Sequence, residues 1–132
     1  MNKIKNISLL TLVFGLMLST SLFASSSDNK SVEKAKAAVE NGAPDDWQLL
    51  AKQAKVLLRK NKDLGTAKIW LEKSISIKKD VSNLELMGDY YAKNDLPAQA
   101  LDYYSQCSEL MRQNDQGADV SYYQNKIWEL KY

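Results

Sequence analysis

The chain has no histidine, one cysteine, two prolines and five glycines in 132 residues. Each shortage removes a class of chemistry. Without histidine, neither a Ser-His-Asp nor a Cys-His nucleophilic site can be assembled, and a His/Cys zinc site has no ligand set to draw on. One cysteine cannot form a disulfide within a chain. Few prolines and glycines leave long stretches free to be helical. Carboxylates are present but scattered, and no acid/base pair of the kind a carboxylate hydrolase needs stands out. The pair Asp45-Asp46 sits where a helix N-terminus favours anions. The expectation is a non-enzyme with no catalytic residue, no metal and no cofactor.

Charge of one sign is also lacking. Removing Lys3 and Lys5 with an N-terminal leader takes the 18 basic residues to 16, matched by 16 acidic ones. A balanced chain of this kind is not a nucleic-acid binder by bulk charge. Nor is there an apolar run long enough for a comfortable membrane span, which needs about 20 residues. Residues 1–24 instead read as a secretory signal peptide. Lys3 and Lys5 give the positive start, 7–18 the short apolar core, and 19–24 a small-residue exit cut after Ala24 or after Ser21. The expected location is therefore outside the cytoplasm, periplasmic or secreted, with no stable membrane span once the leader is removed.

What the chain does have is helical periodicity. Residues 25–30 read as a polar, mobile linker, and 31–132 as one all-α domain. Val32, Ala35, Ala38 and Val39 give a first helix ended by Gly42. Pro44-Asp45-Asp46 then starts a helix whose apolar stripe is Trp47, Leu50, Ala51, Ala54, Leu57 and Leu58. After a turn over 61–65, Ala67, Trp70, Leu71, Ser74 and Ile75 face it, which makes a hairpin over 47–79. A second hairpin follows over 81–110, with Ser82 and Glu85 at capping-box spacing and Val81 and Leu86 as a hydrophobic staple. Asn94 is expected in the left-handed conformation that ends its first helix, and Pro97 in the first turn of its second. Beyond a break at 114–117, Val120, Tyr123, Ile127 and Leu130 form a last stripe, with Lys126 and Lys131 near the helix end.

The small and apolar positions Leu84, Met87, Gly88, Tyr91, Ala100, Tyr104 and Cys107 resemble those of a tetratricopeptide (TPR) repeat. Leu50 and Leu84 stand 34 residues apart, and Ala67 and Ala100 stand 33 apart, which reads as a first turn one residue shorter. The run 68–74 and Tyr103-Tyr104 also resemble the related Sel1-type repeat. The drift to 36 residues between Leu84 and Val120 marks the last helix as a terminal cap. The resemblance implies antiparallel helix hairpins in an α-solenoid fragment with flanking capping helices, Gly88 at a close helix contact, and a binding scaffold for a protein or peptide. It also implies a groove lined by the first helix of each pair: Gln48, Lys55 and Arg59 from one hairpin, Glu85, Asp89 and Lys93 from the other. Helical spacing independently puts Lys52, Lys55 and Arg59 on one arc opposite Leu50, Ala54 and Leu57.

Two further features bear on partners. Residues 48–79 carry nine basic side chains against Asp63 and Glu72, while 80–119 carry eight acidic ones against Lys93 and Arg112. Hairpins of charge about +7 and −6 attract weakly across solvent, steer a partner, or promote self-association. The pairs Tyr90-Tyr91, Tyr103-Tyr104 and Tyr122-Tyr123 are each expected to place one ring in the core and one at the edge. Exposed rings would support a rival reading, a carbohydrate- or envelope-polymer-binding module. Cys107, on an apolar stripe, is expected to be a buried, inert thiol.

Overall fold

The computed structural model describes the backbone from residue 10 to residue 132 and the side chains from residue 26 onward. Lys3, Lys5 and residues 7–9 of the leader reading lie outside the described residues. Six helices follow in order: α1 Leu10–Asn41, α2 Trp47–Lys60, α3 Leu64–Ile77, α4 Val81–Lys93, α5 Pro97–Asn114 and α6 Ser121–Lys131. Among the described residues there is no strand, and the chain is all-α, built from antiparallel hairpins α2–α3 and α4–α5. α1 flanks the first hairpin and α6 the second. No helix of the described residues is long and apolar enough to cross a membrane.

The serine-rich stretch 25–30, read from composition as a polar linker, is helical and continues α1. Tertiary anchors account for the difference. Asp28 pairs with Lys60 at 2.8 Å and Lys36 with Asp63 at 2.8 Å, while Val32 and Ala35 are buried against α2 and α3. Serine's weak helix propensity is easily overridden by packing of this kind.

Both hairpins turn by the same device. At the first turn Asn61 adopts the left-handed conformation (φ 52°), and the Lys62 and Asn61 N–H groups donate back to Leu57 O at 3.1 Å and Leu58 O at 3.2 Å. At the second, the left-handed residue is Asp95 (φ 55°), not Asn94 (φ −97°), with Leu96 N–H donating to Tyr91 O at 3.0 Å. These paired bonds satisfy the last carbonyls of a helix in the Schellman manner. Each turn has three residues, 61–63 and 94–96, so Leu64 and Gly65 belong to α3 and the first turn is not the shorter one. The extra residue lies in α2, which has 14 residues against 13 in α4.

Helix starts divide into those read from local sequence and those that were not. Asp46 caps α2, its carboxylate accepting from the Leu49 N–H at 2.9 Å, and Pro97 opens α5. The box at α4 is Asp80 with Asn83, two residues earlier than Ser82 with Glu85. Val81 and Leu86 do not staple it together, since Val81 joins the second core cluster and Leu86 the first.

The core has two clusters. Ala54, Leu57, Ala67, Leu71 and Met87 fill the first, and Leu84, Ala100, Tyr104, Cys107 and Tyr123 the second. Alanines and Gly88 sit where the helices approach closely. A Cβ on Gly88 would stand 2.5 Å from Tyr104 Cε1, so the Tyr104 ring packs directly against α4 at Gly88. A polar junction ties the hairpins together. The buried Ser74 hydroxyl donates to Trp47 O at 2.8 Å, and the buried Asn83 amide donates to Ser74 Oγ at 2.9 Å and Lys78 O at 2.8 Å. Two side chains, Ser74 and Asn83, thereby link the start of α2, the end of α3 and the start of α4.

Candidate binding groove

α2 and α4, the first helices of the two hairpins, lie side by side and leave a groove between them. One end is a hollow of about 370 Å³ with Gln48, Lys52 and Lys55 on the α2 side, Glu85 and Asp89 on the α4 side, and Trp47, Ala51 and Leu86 supplying apolar surface. It adjoins a second hollow of about 340 Å³ between Lys55, Leu58 and Arg59 on α2 and Leu86, Asp89, Ala92 and Lys93 on α4. The hollows share Lys55, Leu86 and Asp89. All six predicted binding residues, Lys52, Lys55, Arg59, Glu85, Asp89 and Lys93, thus border one continuous groove, as does Gln48. A helix the length of α2 spans ~21 Å at 1.5 Å per residue, room for about six residues of extended chain.

The two walls are electrostatically unequal. On α2, Lys52, Lys55 and Arg59 are exposed and make no ion pair with any described residue. On α4, Glu85 and Asp89 are engaged from α6. Lys126 Nζ lies 2.6 Å from Asp89 Oδ1 and 3.5 Å from Glu85 Oε1. The Tyr122 and Tyr123 hydroxyls donate to the Glu85 carboxylate at 2.8 Å and 3.0 Å, and the Tyr104 hydroxyl donates to Asp89 at 2.7 Å. Burial works against the Lys126 ammonium, but the hydrogen bond and charge of Asp89 outweigh it and hold the group above the usual lysine range. Burial raises the Tyr104 and Tyr123 hydroxyls as well, with Asp89 and Glu85 adding to it.

Lys126 was expected to complement the end of α6. Instead it reaches α4, 37 residues back along the chain for its bond to Asp89. The opposite charges of the two hairpins do not pair with each other among the described residues. Lys60 takes Asp28 and Asp63 takes Lys36, both on α1.

The tyrosine pairs mostly divide as expected. Tyr104 and Tyr123 are buried, Tyr103 is half-buried and Tyr122 is exposed. Tyr90 and Tyr91 depart from the pattern: both are half-buried, packed edge-on at 5.2 Å, and Tyr91 stacks on Tyr103 at 5.6 Å. Cys107 is fully buried, its thiol donating to Val81 O at 3.6 Å, and burial pushes it up to about 12. A thiol in that state is not a nucleophile at neutral pH.

A larger hollow of about 620 Å³ lies between α5 and α6, bordered by Ser105, Ser108, Glu109, Arg112 and glutamines. Among the described residues no three potential ligands group as a metal site. In comparisons with known proteins the chain matches no family model, no curated protein and no solved structure, which leaves the geometry of the groove to carry the functional reading.

Proposed function

We propose that this chain is an exported, TPR-like helical-repeat scaffold that captures an extended acidic segment of a partner protein or peptide in the α2–α4 groove. The observation that carries this reading is the unpaired cationic wall of Lys52, Lys55 and Arg59, which faces acidic residues already engaged by Lys126. Arg59 can grip a carboxylate with two parallel hydrogen bonds, while Trp47, Ala51 and Leu86 offer apolar surface to the rest of the segment. The rival polymer-binding reading has less support, because only Tyr122 and Tyr132 of the seven tyrosines are exposed.

Lys55→Glu with Arg59→Glu should leave helicity unchanged, since both side chains are exposed, yet weaken partner capture from an envelope extract. Rim charges act chiefly on association rate and salt dependence, so the loss should be largest at low salt. Equal recovery by variant and wild type at both low and high salt would defeat the reading. A second copy is the other candidate occupant, since Asp102 and Glu109 on α5 are exposed and make no ion pair with a described residue. Doubling of the solution mass at low salt would assign the groove to it.

Export rests on the leader-like residues 1–24. Protein recovered from the envelope of the producing cell should have an intact mass that begins at Ser25 or Leu22. A full-length mass, or a purely cytosolic location, would contradict it.

A further inference from the structure

We infer that Lys126 is the residue that sets the charge selectivity of the groove. By occupying the acidic side from α6, it makes the α2–α4 surface select acidic over basic segments. The inference rests on the groove being a docking surface and adds which chemistry it accepts and why.

The Lys126 ammonium sits in a socket suited to a primary amine. Besides its contacts with Asp89 and Glu85, it lies over the Tyr104 ring at 4.8 Å and the Tyr122 ring at 5.3 Å from the centroids. Two carboxylates and two aromatic faces are a strong combination for a cation. A lysine on any incoming segment would find the same partners, but the chain's own lysine already fills the position. Its side chain is 21 % exposed, and those of Glu85 and Asp89 are 27 % and 33 % exposed. Partial burial keeps salt from screening this cluster as it screens the rim. The groove therefore presents its α2 cations opposite an anionic wall whose charge Lys126 partly offsets. An acidic segment meets attraction, and a basic one meets repulsion with no socket left to enter.

A purely structural role, clipping α6 to α4, would affect stability but not discrimination between ligands of opposite charge. The ratio of two affinities therefore separates the cases. Fluorescein-labelled peptides of alternating Glu and Ala, and of alternating Lys and Ala, would be titrated at low salt with full-length mature protein and followed by anisotropy. Wild type should bind the Glu peptide more tightly. Lys126→Met should reduce that preference by about tenfold, because Glu85 and Asp89 then face the groove without a counter-cation. Glu85→Gln with Asp89→Asn, which keeps Lys126, should raise the preference above wild type, and it decides the matter if Lys126→Met does not fold. A Glu/Lys preference unchanged within about twofold in the folded variants would overturn the inference and leave Lys126 as a clip. Failure of wild type to bind either peptide would overturn the groove reading itself, and the inference with it.

Discussion

Gly88→Leu should lower the melting temperature by about 10 °C or more without changing the helical signature of the remaining fold. Even the first added atom is too close, since a Cβ would lie 2.5 Å from Tyr104 Cε1 and 2.8 Å from Cδ1. The ring has little room to yield. Tyr104 is buried, its hydroxyl is held by Asp89 at 2.7 Å, and Lys126 lies over its face at 4.8 Å. Overpacking costs about 1–3 kcal/mol where neighbours can adjust, and here adjustment would separate α4 from α5 or break the contacts that hold α6. Leucine's better helix propensity returns at most about 1 kcal/mol. A domain of this size loses roughly 4 °C or more per kcal/mol. A melting temperature that rises, by calorimetry or circular dichroism, would mean that Gly88 is not at a helix contact and that the hairpin register is wrong.

Asn83→Ala should be almost as damaging, for a polar reason. Asn83 is fully buried and uses both ends of its amide. Its oxygen accepts from the Asp80 N–H at 3.0 Å, and its nitrogen donates to Ser74 Oγ and Lys78 O. Alanine removes half of the capping box of α4 and leaves the Lys78 carbonyl and Asp80 N–H without partners in a part-buried junction. A buried polar group left unpaired costs about 1–3 kcal/mol, and loss of the cap and the small void add to that. The expected destabilisation is about 3 kcal/mol by urea titration, falling on the joint between hairpins rather than on either one. Asn83→Asp is a useful companion. It keeps the acceptor but not the donor, so it should also destabilise. If Asn83→Ala costs under about 0.5 kcal/mol, the range of an ordinary surface substitution, the junction is not what holds the hairpins in register.

The elements that were legible before the fold share one property: their signals lie within a few residues. The stripe Leu50, Ala54, Leu57 and Leu58 is buried as its spacing required. Asp46 caps α2 and Pro97 opens α5 because a cap or a fixed φ acts on the next turn only. The resemblance to a TPR repeat implies Gly88 and Ala100 at a close helix contact, and it too rests on short-range spacing. Lys52, Lys55 and Arg59 fall on one helical arc, which is also a local property, while the remaining groove residues follow only from the resemblance to a TPR repeat. Where two local signals competed, the reading slipped. Ser82 and Glu85 fit a capping box by spacing, but Asp80 and Asn83 form it, because Asn83 also satisfies Ser74 and Lys78. Asn94 and Asp95 both tolerate a left-handed turn, and Asp95 is the one that adopts it.

The sequence by itself determined the helices, their apolar faces, the hairpin order and the cationic arc of α2, since each follows from the 3.6-residue period and from side chains acting on their own turn. Only the tertiary structure decided which charges remain free. Glu85 and Asp89 read as groove carboxylates and Lys126 as a cation near a helix end, and nothing in their neighbourhoods marks them as partners. They meet because α6, packed on α5, brings Lys126 within side-chain reach of α4, joining Asp89 and Lys126 across 37 positions. Asp28 and Asp63 are likewise taken by Lys60 and Lys36 through the packing of α1. Pairing across distant segments depends on where whole helices come to rest. That follows from the burial of their apolar faces and leaves no periodic trace at the charged positions themselves.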